Sequence, residues 1–381
     1  MKRGNIKLSR YTVAIFFIFC GLIFSSWASR IPSIKATFLL NEAQLGTVLM
    51  MLPLGSFIAL PIAGWAVDRF SSRWMTLLSC IGYALMLYLV SLASTVLVLS
   101  VCLFFFGFVG DIMNIAMNTQ GLDVQHRMQK PILSSFHGMW SLGALAGALI
   151  GGFTMERSMS TSAHFLIITI AILIISLVIF GFLIPSDDKE DQGKKLFAMP
   201  DRALWLIGMI CFCCALCEGA MADWSSLYYQ EVVNEPSRVS TTGFTAYVFA
   251  MTLGRLTGDR LLSILHYRKV LMIDSALISV GLTLALGFHN QIFTIIGYAL
   301  VGFGVSTIIP IAYILAGKSK TMKASVALAA VSTIGFTGFL IGPPIIGFIA
   351  HQTGLRIALL LVLLMGITIF FLSRKIKIQG A

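Results

Sequence analysis

Runs of about twenty mostly apolar residues recur along this chain, separated by short polar turns. A bilayer core about 30 Å thick is crossed by about 20 residues of α-helix, each advancing 1.5 Å. Hydrocarbon offers no partner to a bare N–H or C=O, so a spanning segment must satisfy its own backbone, as a helix does. Such runs lie near 12–29, 44–66, 74–93, 96–119, 134–155 and 163–184. A second set lies near 203–227, 240–258, 270–288, 291–316, 325–349 and 355–373. The expectation is an all-α membrane protein of twelve transmembrane helices in two pseudo-symmetric six-helix halves. Residues 1–184 form the N-terminal bundle, 185–202 a cytoplasmic linker and 203–381 the C-terminal bundle.

Composition excludes most alternatives. Apolar residues make up 57% of the chain and charged residues 11%, against about 25% charged in soluble domains. The net charge of +11 raises nucleic acid as a partner, but Lys and Arg are spread over short loops rather than gathered on one face. The expected surroundings are lipid, with no nucleic acid. All seven cysteines fall inside expected spans, which argues against a disulfide framework. Cys211-x-Cys213-Cys214-x-x-Cys217 has the density of a metal site. No histidine lies nearby, and cysteine suits helix packing as a small apolar residue, so no metal is expected. The basic start Met1–Arg10 and the apolar run after it also resemble a signal peptide. Ser26-Trp27-Ala28 is a loose cleavage site, and losing this helix would leave an odd number, so it is kept as the first span.

Positive charges set the orientation. With a cytoplasmic N-terminus, 22 of the 27 Lys and Arg lie inside, leaving Arg30, Lys35, Arg157, Arg238 and Arg356 outside. Both termini are expected in the cytoplasm. A shift of 191 residues lays Asp68-Arg69 on Asp259-Arg260, Gly147-x-x-x-Gly151 on Gly338-x-x-x-Gly342 and Ser134 on Ser325. Duplicated halves of this kind are a common transporter plan, with the solute bound where the repeats meet.

No energy-coupling or catalytic motif stands out. Ala316-Gly317-Lys318-Ser319 ends like a phosphate-binding loop, but the required earlier glycine is Ala312. HExxH, GxSxG and a dinucleotide fingerprint are missing. The chain therefore points away from an enzyme and needs no cofactor. Its driving force is an ion gradient or the gradient of its own substrate.

Polar residues inside the spans carry what specificity there is, since an ionisable side chain at a helix centre costs about 2.5–3.5 kcal/mol on insertion scales. Asp111, Asn114 and Asn118 share one stripe of the fourth span, at i, i+3 and i+7. Glu218 lies deep in the seventh span, with Asp223 and Trp224 nearer the outer surface. A carboxylate without a fixed partner in such surroundings can carry a proton or contact substrate. The alternative is a structural pair, with Arg30 or with a backbone donor. His137, just inside the fifth span, is either a proton relay or an interfacial histidine bonded to a carbonyl. Trp27, Trp140 and Trp224 could stack on a sugar ring, although Trp27 and Trp224 are expected to be interface anchors. Tyr247, Tyr298 and Tyr313 are weaker candidates. Asp274 is expected near the inner surface and solvated. Gly143, Gly147 and Gly151 would let two helices approach closely, and Gly342-Pro343-Pro344 is expected to interrupt the eleventh helix.

At this point the residues resemble a known family. Gly64-Trp-Ala-Val-Asp68-Arg69-Phe-Ser-Ser-Arg73 resembles the signature loop between helices two and three of the major facilitator superfamily. Gly254-Arg255-Leu-Thr-Gly258-Asp259-Arg260 is its counterpart. The resemblance implies that Asp68, Arg69, Arg73, Arg255, Asp259 and Arg260 form a cytoplasmic gate, and that the protein is a monomer. Trp27-Ala-Ser-Arg30-Ile-Pro32, Phe136-His137-Gly138, Glu218-Gly219-Ala-Met-Ala-Asp223-Trp224 and Gly342-Pro343-Pro344 look like the YbjJ-like inner-membrane subgroup, distantly related to fucose permease. Two departures stand out. The glycine usual after Asp-Arg is replaced by Ser71-Ser72, and Asn114 stands where many relatives carry an acid.

The expected function is secondary active transport of a small polar, sugar-like solute across the inner membrane by alternating access, coupled to H+. Asp111, Asn114, Asn118, His137, Trp140, Glu218, Asp223, Arg30 and Tyr247 are the candidate solute and proton residues. One alternative is a proton-coupled efflux pump for hydrophobic or cationic compounds. Another is a non-transporting membrane sensor or enzyme, for which no nucleophile–base constellation is visible. The orientation predicts that a fluorescent protein fused after Ala381 will be bright and alkaline phosphatase fused there inactive. The opposite pattern would place the C-terminus outside.

Overall fold

A computed structural model describes residues 6–130, 132–185, 202–288, 290–319, 322 and 324–376. The helices are α1 (Ile6–Ser29), α2 (Ile31–Thr37), α3 (Glu42–Leu49), α4 (Met51–Phe70), α5 (Ser72–Val90), α6 (Val96–Met128), α7 (Leu133–Glu156) and α8 (Thr161–Ile179). They continue as α9 (Arg202–Glu231), α10 (Thr242–Ile264), α11 (Tyr267–Gly287), α12 (Gln291–Val305), α13 (Ile308–Gly317), α14 (Ala324–Thr353), α15 (Leu355–Ala358) and α16 (Leu360–Lys375). Among the described residues there is no strand. Most of the expected linker, residues 186–201, lies outside them.

Among the described residues, eleven helical segments are long and apolar enough to cross a membrane. The run expected at 240–258 forms α10, a helix of 23 residues, yet it is not among the eleven. Its polar content, with Arg255, Asp259 and Arg260 in the second half, lowers its apolar character. The ends follow ordinary capping chemistry. Thr95 and Ser160 accept from the backbone N–H three residues on, starting α6 and α8. Asn41 and Gln44 form a reciprocal capping box at the start of α3.

Proline does not act where the sequence suggested. α14 runs through Pro343 and Pro344 without interruption, so the expected break in the eleventh span is absent. Packed neighbours hold such a helix together when two of its backbone bonds are missing. The tenth span is the interrupted one: α12 ends at Val305 and α13 begins at Ile308. Pro310 explains this, because it lacks the N–H that would bond to the Ser306 carbonyl and its ring presses on that carbonyl.

The chain forms two compact units, Met1–Leu39 with Met51–Asp191, and Leu40–Met50 with Gln192–Ala381. In the first, α1 packs most extensively on α7, and α4 on α6. In the second, α9 packs most extensively on α14, and α11 on α12. The α1–α7 crossing has no room for a side chain. A Cβ on Gly143 would sit 2.0 Å from the Ile18 carbonyl oxygen, and one on Gly147 2.7 Å from that of Leu22. Gly338 repeats this in α14, where a Cβ would lie 2.3 Å from the Phe212 carbonyl oxygen. Gly147 and Gly338, matched by the 191-residue shift, thus do the same work in their own units. The starts of α7 and α14, Leu133 and Ala324, obey the same shift. Within the second unit α3 lies on α14, and Glu42 Oε2 is 3.7 Å from His351 Nδ1.

Ser71, in place of the usual signature glycine, has φ 70° and ψ 145°. A side chain in that region costs about 1–3 kcal/mol. Three substitutions separate these effects in thermal unfolding of the purified protein. Ser71→Gly is expected to stabilise by about 1 kcal/mol, the relieved strain being partly offset by unfolded-state entropy. Gly143→Ala should destabilise by about 1–3 kcal/mol through overpacking. Gly64→Ala, with nothing within 4 Å of the new Cβ, should change stability by less than about 1 kcal/mol. A neutral Gly143→Ala would show that the crossing can open at little cost.

Candidate functional site

The stripe read from the sequence on α6 places three polar side chains on one face. Asn118 Nδ2 donates to the Asn114 side-chain oxygen at 3.0 Å and to the Asn114 carbonyl at 2.8 Å. The Asn114 side chain lies within reach of the Asp111 carboxyl. Helical spacing brings this about, because i, i+3 and i+7 return to one face. The second carboxyl oxygen, Asp111 Oδ2, is buried without a hydrogen-bond partner. From α1, Cys20 lies beside the Trp140 side chain, and Cys20 and Tyr83 are within electrostatic reach of Asp111. Trp140 lies at 6.1 Å from the Phe24 ring. His137, one turn away on α7, meets the Phe17 ring edge-on at 5.5 Å. The first unit therefore gathers Asp111, Asn114 and Asn118 on one helix, with Cys20 of α1 within electrostatic reach of the acid.

Arg30 belongs to a separate cluster. It is 3% exposed, and its Nε donates to His164 Nδ1 at 3.2 Å while Nη2 donates to Thr154 Oγ1 at 2.8 Å. His164 must then carry its proton on Nε2, an atom without a partner. The partner expected for Arg30, a membrane carboxylate, is replaced by a neutral imidazole and a hydroxyl. His164 carries no motif, and only the fold brings it to Arg30. The arrangement ties the end of α1 to α7 and α8.

In the second unit, Glu218 Oε2 lies 3.6 Å from Arg255 Nη2, the two side chains being 14% and 21% exposed. Tyr247, 2% exposed, is within electrostatic reach of both. The Cys214 thiol donates to Glu218 Oε1 at 3.9 Å and to the Val305 carbonyl at 3.7 Å. Arg255, expected at the gate, is thus the partner of a membrane acid. Asp223 is partly exposed, five residues further along α9. Cys211 lies in an apolar cluster with Leu204, Ile207, Ala312, Ala316, Ala327 and Val331, in keeping with a packing role.

The remaining gate candidates sit at helix ends. Asp68 and Arg69 are exposed at the end of α4. Arg73 reaches the Gly181 carbonyl at 3.4 Å and stacks over Phe180 at 4.7 Å. Arg260 is exposed on α10, and Asp259 precedes it in the last third of that helix.

Three expectations change. Trp27 and Trp224 are 1% and 0% exposed and fill helix contacts instead of anchoring at an interface. Trp65, Trp74 and Trp205 are the exposed ones. Asp274 is not solvated: it is 0% exposed and accepts a hydrogen bond from Thr307 Oγ1. Its place eight residues into α11 suggested a surface, whereas α12 covers it.

Residues 12–273 and 236–377 match the Major Facilitator Superfamily. An uncharacterised MFS-type transporter of Yersinia pestis is 33% identical over 94% of each chain. The membrane protein MosC of Rhizobium meliloti is 30% identical, over 95% of this chain and 89% of its own. Among solved structures, a variant of the nucleoside transporter NupG superposes with a TM-score of 0.80 at 13% identity, covering 97% of this chain and 99% of that one. A bacterial homologue of the human lysosomal transporter Spinster gives 0.75 at 12% identity, covering 98% of each. At such identities the structural likeness speaks for the fold alone, but family match and curated relatives span nearly the whole chain. The protein is a multi-pass membrane protein of the transporter kind and belongs to the Major Facilitator Superfamily.

Proposed function

We propose that the protein is a secondary active transporter that moves a small, polar, uncharged solute across the inner membrane by alternating access, in exchange for the energy of a proton gradient. The observation that carries the reading is the polar stripe on α6, in which Asn118 bonds Asn114 and Asp111 lies within side-chain reach of Asn114. Amides offer donors and acceptors together, which suits a hydroxyl-rich, sugar-like solute, and they lead to an acid with one unpartnered oxygen. Trp140 would supply a stacking face. His137 is a further candidate in the same unit, and in the other unit Glu218, Arg255, Tyr247 and Asp223 are the candidate solute and proton residues. Twelve spans in two related halves, with α10 as the eighth span, both termini cytoplasmic and a monomer, complete the proposal. Asp68, Arg69, Arg73, Asp259 and Arg260 would form the inner gate, with Arg255 shared between gate and solute site.

Efflux of hydrophobic cations is the competing function, and binding separates the two. Thermal stability of the purified protein would be read against sugars, nucleosides, amino acids and hydrophobic cations. A ligand at a hundred times its dissociation constant stabilises the folded state by about 2.7 kcal/mol. The expected result is a polar solute whose stabilisation disappears in Asn118→Ala. In proteoliposomes, Asp111→Asn or Glu218→Gln should then abolish proton-driven accumulation while leaving solute exchange. Stabilisation by hydrophobic cations alone would overturn the polar-solute reading, and full accumulation in both variants would overturn coupling through these acids.

A further inference from the structure

Asp274 has no role in the function proposed above, and its surroundings ask for one. Its carboxyl is 0% exposed, Oδ2 accepts from Thr307 Oγ1, and Oδ1 is buried with no hydrogen-bond partner. Among the described residues no Lys, Arg or His makes an ion pair with it. A bare carboxylate cannot be kept in such a place at acceptable cost: it is paired, coordinated to a cation, or neutral. One hydroxyl donor does not replace the hydration it has lost.

The place is built from a second feature, independent of the acid. Thr307 stands in the Ser306–Thr307 gap between α12 and α13. Pro310 deprives the Ser306 carbonyl of its helical donor, so an oxygen is freed within the span. Interrupted helices with free carbonyls are where membrane proteins hold small cations. α10 closes against the same gap, since a Cβ on Gly254 would lie 2.2 Å from Ser306 Oγ. From α9 the Cys214 thiol bonds the last carbonyl of α12, Val305, and the Glu218 carboxyl. The gap therefore joins Asp274 on one side to the Glu218–Arg255 pair on the other.

We infer that Asp274, with Thr307 and the carbonyl freed by Pro310, binds a small monovalent cation, a proton or a sodium ion, at the break in the tenth span. The charged and titratable groups on the surrounding elements are otherwise engaged. Cys214 and Glu218 face the gap from α9, and Arg255 on α10 is turned to Glu218. Arg260 is exposed, Lys318 after α13 lies over the Tyr267 ring, and Arg374 and Lys375 are exposed at the end of α16. With the cation bound, Asp274 is neutralised and the Asp274–Thr307 contact pins the gap. When the cation leaves, the exposed charge favours a conformation that admits water or another donor, which shifts α12 and α13. That this motion drives solute movement rests on the transport reading; the cation site itself does not.

The site is tested without any solute, so its failure is distinguishable from failure of the transport reading. The unfolding midpoint of the purified full-length protein would be titrated with sodium chloride against choline chloride at constant ionic strength. Infrared spectra would report the carbonyl stretch of neutral carboxyl groups. If sodium is the cation, it stabilises the wild type. The effect is lost in Asp274→Asn, and the apparent affinity falls about tenfold, about 1.4 kcal/mol, in Thr307→Val. If the proton is the cation, sodium has no effect, and a neutral-carboxyl band vanishes in Asp274→Asn, shifts in Thr307→Val and survives in Asp111→Asn. Should Asp274→Asn fail to fold, Thr307→Val carries both readouts. Sodium stabilisation that persists in Asp274→Asn would overturn the inference. So would the absence of a sodium effect together with a carboxyl region unaltered by either substitution.

Discussion

Inside a bilayer no water is available to a backbone that has lost its partner, and each other structural choice in this chain answers to that. It makes every crossing a helix and leaves packing, not the hydrophobic effect, to hold helices to one another, because lipid tails are as apolar as leucine. The answer here is contact of backbone on backbone. α7 meets α1 through Gly143 and Gly147, and α14 meets α9 through Gly338, at distances that leave no room for a methyl group. These crossings set where the polar residues of the same helices end up.

The same constraint sorts the polar residues. Those that remain in the spans find partners on their own helix or on the one packed against it. Asn118 and Asn114 bond along α6, Arg30 is taken up by His164 and Thr154, and Glu218 meets Arg255. Where the partnering is incomplete, as at Asp111 Oδ2 and Asp274 Oδ1, the structure keeps a group whose cost must be met by something that binds. That is the physical basis for placing function at these acids, one in each unit.

Much of this was legible in the sequence where the cause is local. Spans follow from apolar length, and the Asp111–Asn114–Asn118 stripe from helical period. The shift of 191 residues that matches motifs along the chain is also obeyed by the starts of α7 and α14. Trp27 and Trp224 were misplaced because a tryptophan near a helix end suits an interface and a helix contact equally well. Only the neighbours decide, and here they bury both. The double proline of α14 suggested a break, yet the break belongs to Pro310, where two non-helical residues, Ser306 and Thr307, precede the proline's own helix.

By itself, then, the chain's order of residues determined a helical membrane protein, its spans, its internal repeat and its superfamily signature. Each of these depends on spacing along the chain, which needs no knowledge of neighbours. Tertiary structure alone decided that Arg30 is held by His164, that Arg255 is partner to Glu218, and that Asp274 is enclosed with Thr307 at a broken helix. These pairs are separated by 134, 37 and 33 residues. No local pattern encodes which of several polar residues will be opposite when helices close to within the reach of a hydrogen bond.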